Sequence, residues 1–130
     1  MKQKAAASIY QNFLYELLRS KTAWGLSCHG DICAVHGAGM MCLPLWSDGE
    51  TARRMQRRYW PKLLVTAISL DDVLERCLPK ARADGVPIGV GVAMDSEAVV
   101  IPAAQLAEHI RLAQRAFAEM RESRGAGRQD

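Results

Sequence analysis

The chain has 130 residues, 49% of them apolar types and 24% charged, with 17 Lys and Arg against 14 Asp and Glu for a net charge of +3. That is the length of one domain and the composition of a globular one, which excludes a disordered, collagen-like or fibrous chain. Three surplus positive charges over this length do not by themselves announce a nucleic-acid or membrane protein.

From Ser8 to Ser20, the apolar residues Ile9, Phe13, Leu14, Leu17 and Leu18 recur at the spacing of one helix face, with Gln11, Asn12, Glu16 and Arg19 on the other. Short strand-like runs follow. Trp24, Leu26 and Cys28 alternate, Ile32 to Val35 is a second apolar run, and Met40 to Trp46 is a third. The turns Gly30-Asp31 and Gly37-Ala38-Gly39 separate them, predicting an antiparallel meander.

Ser47-Asp48-Gly49-Glu50 reads as a capping box, with Ser47 at the cap and Glu50 three residues on, opening a helix over residues 48–59 that Pro61 closes. Leu63 to Ile68 is a strand-type run. Ser69 then caps a helix whose stripe is Leu70, Val73, Leu74, Cys77 and Leu78, weakened or ended by Pro79. After the Asp84-Gly85 turn, Pro87 to Ala93 and Ala98 to Ile101 read as strands. Pro102 sits at the first turn of a last helix carrying Leu106, Ile110, Ala113, Phe117 and Met120. The expected architecture is one α+β domain over residues 1–120, an antiparallel or mixed sheet of about five to six strands with helices packed on it, and a mobile polar tail over 121–130.

No apolar stretch approaches the ~20 residues of a membrane span, and Gln11, Asn12 and Glu16 interrupt the run a signal peptide needs. These features predict a cytoplasmic protein without a membrane partner, whose four cysteines stay reduced.

The strand Leu43-Pro44-Leu45-Trp46-Ser47-Asp48, the helix ending at Trp60, and Ile68-Ser69-Leu70-Asp71-Asp72-Val73-Leu74 resemble a family of small bacterial proteins, domain of unknown function 2750. Further matches are Trp24-Gly25-Leu26, Leu78-Pro79, Asp84-Gly85, Ile88-Gly89-Val90 and the helix from Pro102 to Ile110. The resemblance covers residues 9 to 112. It implies a fold, through packing and turn motifs, and brings no catalytic residue or cofactor with it.

Cys28, His29, Cys33, His36 and Cys42 fall within fifteen residues, a density at which zinc sites are built, but without a paired Cys-x-x-Cys knuckle. The cysteines also fit buried packing groups, and Cys28 beside His29 on a strand faces away from it. Asp31, Asp48 and Glu50 offer carboxylates for an enzyme, although turns and capping account for each. Neither set leads to an expected catalytic residue, metal or other cofactor. Gly89-Val90-Gly91 lacks the third glycine of a dinucleotide fingerprint.

The strongest departure from even composition is Arg53-Arg54-Met55-Gln56-Arg57-Arg58-Tyr59-Trp60-Pro61-Lys62, holding five of the 17 basic residues and leaving 12 basic against 14 acidic residues elsewhere, a net of −2. On a helix, Arg53 with Arg57 and Arg54 with Arg58 are neighbours one turn apart, a repulsion of a few tenths of a kcal/mol per pair. A solvated face is the plain reading. The functional one is a non-catalytic protein-binding module, of immunity, inhibitory or accessory type, docking on an acidic partner through Arg53, Arg54, Arg57, Arg58, Tyr59, Trp60 and Lys62. An enzyme or metal protein using Asp31, Asp48 and Glu50 or Cys28, Cys33, His36 and Cys42 is the alternative, and a nucleic-acid binder the second alternative.

Overall fold

A computed structural model describes residues 2–37, 39–91 and 99–128, with side chains placed for 8–37, 39–91 and 99–122. The first helix, α1 (Lys2–Ser20), starts six residues before the amphipathic stretch and ends where Lys21, at φ 57, donates its amide to Leu17 O at 2.8 Å. This left-handed residue turns the chain into β1 (Thr22–Cys28). His29 (φ 52) and Gly30 (φ 85) form a two-residue turn with both φ positive, the geometry whose twist matches a hairpin, and β2 (Asp31–Ile32) returns antiparallel.

The run from Ile32 to Val35 is not one strand. It breaks at Cys33 and Ala34, and β3 (Val35–Gly37) joins a different sheet by pairing antiparallel with β4 (Met40–Leu45). The expected meander is therefore divided between two sheets, β2-β1-β5 and β3-β4-β6-β7. The turn residue Ala38 lies outside the described residues, as do 92–98, which take in the ends of the expected strands at Val92, Ala93 and Ala98.

Trp24 and Trp46 join the two sheets. Trp24 N donates to Trp46 O at 2.9 Å and Trp46 N to Trp24 O at 2.8 Å, so the end of β4 takes the edge of β1 that short β2 leaves open. Gly25 makes the crossing possible: a Cβ there would lie 3.0 Å from Ile68 Cδ1 and 3.4 Å from Pro44 O. Pro44, fully buried within β4, interrupts no ladder beside β3, because that pairing has already ended at Cys42. On the other side β4 runs parallel to β6 (Ile88–Val90), which pairs antiparallel with β7 (Val99–Ile101), making this sheet mixed.

Between the sheets' contributions, α2 (Gly49–Tyr59) is followed by β5 (Leu64–Ser69), antiparallel to β1. Next comes α3, residues 70–83: Leu70–Asp72, a π-helical stretch Val73–Cys77, and Leu78–Ala83. Ser69 caps it as expected, its hydroxyl accepting from Asp72 N at 3.1 Å. Pro79 does not end it. A proline ring in a helix collides with the carbonyl four residues back, and here a wider π turn, in which Leu78 N donates to Val73 O, lies immediately before the ring.

The last helix, α4 (Ala103–Arg128), continues through residues 121–128, the described part of the stretch expected as a tail. Its apolar stripe fades outward: Leu106 and Ile110 are fully buried, Phe117 tilts against Tyr15 at 6.2 Å between ring centroids, and Met120 is 54% exposed.

Two apolar clusters fill the fold. Phe13, Leu17, Leu45, Ile68, Val73, Ile88, Leu106 and Ile110 are among those of the larger, between the sheets and α1, α3 and α4. The smaller holds Leu26, Val35, Cys42, Trp46, Ala52 and Trp60, under α2. Alternation along β1 divides the two, with Ala23 in the larger and Leu26 in the smaller.

Candidate functional site

Asp48, not Ser47, caps α2. Asp48 is extended (φ −135, ψ 150), its Oδ1 accepts from Thr51 N at 3.1 Å, and its Oδ2 accepts from the Thr51 hydroxyl at 3.1 Å. The capping pair is thus Asp48 with Thr51 rather than Ser47 with Glu50. The Trp24–Trp46 bridge holds the chain extended up to Trp46, so the helix starts one residue later than the Ser-x-x-Glu spacing predicts. At the other end Trp60 N donates to Gln56 O at 2.9 Å, and Gln56 Nε2 reaches the Trp60 and Pro61 carbonyls at 3.4 and 3.3 Å.

This helix lays Ala52, with Met55 and Tyr59, on the smaller core, which turns Arg53, Arg54, Arg57 and Arg58 to solvent. At 100° per residue the four span about 140° of its circumference. None forms an ion pair with an acidic side chain among the described residues, Glu50 included. Two lie over aromatic rings: Arg53 is 5.8 Å from the centre of the Trp24 ring and Arg58 is 5.5 Å from that of Tyr59. Such stacking holds a guanidinium in place while its N–H groups stay available.

Gly49 admits the Trp24 ring beneath the helix start, since a Cβ there would lie 3.1 Å from two of its atoms. Trp24 and Gly49 are the site residues that sequence reading missed. The signal was present, a glycine inside a helix-opening motif, but its use depends on a residue 25 positions away. Lys62 is exposed just past the helix, extending the basic surface. Trp60, expected on this surface, belongs to the core instead: it is 9% exposed and tilts against Trp46 and Tyr59 at 6.2 and 5.6 Å. Its apolar ring closes the end of the smaller cluster.

The other candidate groups are dispersed. Among the described residues no three His, Cys, Asp or Glu side chains gather as a metal-binding set. Cys42 is fully buried in β4 beside Gly37 O, and His29 and His36 are exposed. Burial pushes the Cys42 and Cys77 thiols up, and burial with the neighbouring Cys28 pushes Cys33 up to about 11. That is opposite to the shift that poises a cysteine as a standing catalytic thiolate.

Asp31 is separated from Asp48 and Glu50. It begins β2, opposite Cys28 at the far end of β1, which is four residues or roughly 13 Å along that strand from Trp24. There it borders a cleft of about 320 Å³ shared with Thr66, Asp72, Arg76 and Lys80. A second cleft, about 430 Å³, runs between α3 and α4 over Leu74, Leu78, Ala103 and Ala107, with Arg82 and Arg111 also lining it. Elsewhere Tyr10 of α1 and His109 of α4 share a hydrogen bond of 2.6 Å between Oη and Nδ1, and burial pushes the Tyr10 hydroxyl up to about 12.

The architecture defines a small α+β domain with two bridged sheets and a basic, aromatic-backed helix on its surface. Residues 10–110 match the family described as "Protein of unknown function (DUF2750)", and the chain belongs to that family. No curated protein matches it.

Proposed function

We propose that this protein is a non-catalytic binding module that docks an acidic protein partner through the outer face of α2, in an accessory or inhibitory role of the immunity type. The observation that carries the reading is the set of four exposed guanidinium groups on one short helix, with no acidic partner among the described residues and two of them held over aromatic rings. Lys62 adds charge at the same end, and Tyr59 offers an aromatic edge. Arginine and tyrosine are enriched at the energetic centres of interfaces because they combine apolar area with directed hydrogen bonds. Trp60 supports the face from below.

The test is capture of partners from an extract of the native host by the wild-type chain and by the double variant Arg54→Glu, Arg58→Glu. A specific acidic protein retained by the wild type should be lost from the variant, with binding weakened about tenfold or more, since 1.4 kcal/mol is one decade in affinity. Equal capture by both refutes the reading. Retention of nucleic acid instead, with binding that falls steeply as salt rises, transfers the surface to a phosphate backbone.

A further inference from the structure

We propose that Cys28 and Cys33 form a reversible dithiol–disulfide pair across the β1–β2 hairpin. The register carries this. Cys28 lies opposite Asp31, Ser27 lies opposite Ile32, and Cys33 N donates to Leu26 O at 2.9 Å, continuing the same ladder by one residue. Residues two apart on a strand share a face, so Cys28 and Cys33 lie on one face as diagonal neighbours. Both are free thiols and only half-buried, whereas Cys42 and Cys77 are buried.

An ideal ladder sets diagonal Cα atoms about 7–8 Å apart, and a disulfide spans about 4.4–6.8 Å, so closure asks for a movement of roughly an ångström. The chain has that freedom locally, because β2 ends at Ile32 and β3 begins only at Val35. The raised Cys33 thiol favours the closed form too: where the reduced state gains no stabilised thiolate, the disulfide is the less oxidising and the more durable.

The co-reactant is a low-molecular-weight disulfide, RSSR. The Cys28 thiolate attacks one of its sulfurs, breaking that S–S bond and releasing RSH with the proton Cys28 gave up. Cys33, deprotonated in turn, attacks Cys28 Sγ and expels the second RSH. The protein loses two protons and two electrons, and RSSR takes them up to become two RSH.

The experiment uses the full chain, reduced and freed of reductant, with glutathione disulfide as the probe. Expected are loss of two of the four thiols, a protein two hydrogen atoms lighter, and recovery of all four thiols with dithiothreitol. Cleavage before Asp31 parts the two cysteines, so the bridge then joins two peptides. The same bridge should form in Cys42→Ala, while Cys33→Ser should stop at a glutathione adduct on Cys28. Four thiols remaining at every glutathione ratio would overturn the proposal, as would a wild-type chain that accumulates the Cys28 adduct beside a free Cys33. A bridge to Cys42 would overturn it equally.

Discussion

Replacing Gly25 by alanine tests how the two sheets are joined. The added Cβ would sit 3.0 Å from Ile68 Cδ1, 3.4 Å from Pro44 O and 3.6 Å from Leu45 Cδ2. Backbone cannot retreat cheaply where Trp24 and Trp46 exchange both hydrogen bonds next door, and Ile68 is 5% exposed with little room to swing. Overpacking of this kind costs about 1–3 kcal/mol, and the entropy that alanine removes from the unfolded chain returns about 0.4–1 kcal/mol. The net expectation is destabilisation by about 1–2 kcal/mol.

Ile68→Val removes the colliding methyl and alone costs about 0.5–1.5 kcal/mol. In the double variant the alanine methyl fills the vacated space, so the combined loss should fall short of the sum by about 1 kcal/mol. Urea unfolding followed by tryptophan fluorescence reads this directly, because Trp46 and Trp60 are buried in the adjoining cluster. Additive losses, or a Gly25→Ala protein as stable as wild type, would refute the steric account.

Asp48→Ala should cost about 1 kcal/mol and Ser69→Ala a similar amount, whereas Ser47→Ala should stay within about 0.5 kcal/mol; equal losses at residues 47 and 48 in the same unfolding assay would contradict the observed cap. Tyr10 titrates higher in the folded chain than its ordinary value of 10.0, so the stability it contributes is present below pH 10 and is lost as the pH rises towards about 12. Melting curves across that window should fall more steeply for wild type than for Tyr10→Phe, and parallel curves would exclude Tyr10 as the cause. Arg54→Glu with Arg58→Glu should change stability by no more than about 0.5 kcal/mol, since both side chains are exposed, and a loss of several kcal/mol on urea titration would show them to be structural instead.

Much of the fold follows from local chemistry that sequence carries openly. The stripe of α1, the Ser69 cap and the family pattern all arise from residues within a turn or two of one another, whereas the turn expected at Gly30-Asp31 lies one residue earlier, at His29 and Gly30, because Asp31 pairs with Cys28. The basic face of α2 was legible for the same reason, because helical spacing alone brings its arginines together. Local signals failed where distant partners competed. The cap moved from Ser47 to Asp48 because Trp46 is tied to Trp24, Trp60 went to the core because Trp46 receives it, and Pro79 was absorbed by a π turn.

By itself the sequence determined an α+β domain of this family and a concentrated positive charge on one helix. Only the tertiary structure decided that the apolar run after Asp31 divides between two sheets, that the candidate carboxylates and metal ligands stay apart, and that Trp24 lies beneath Arg53. The physical reason is the difference in range. Helical spacing and turn geometry are set within a few residues, whereas the neighbours of a strand edge or an aromatic ring come from the whole chain and are selected by packing.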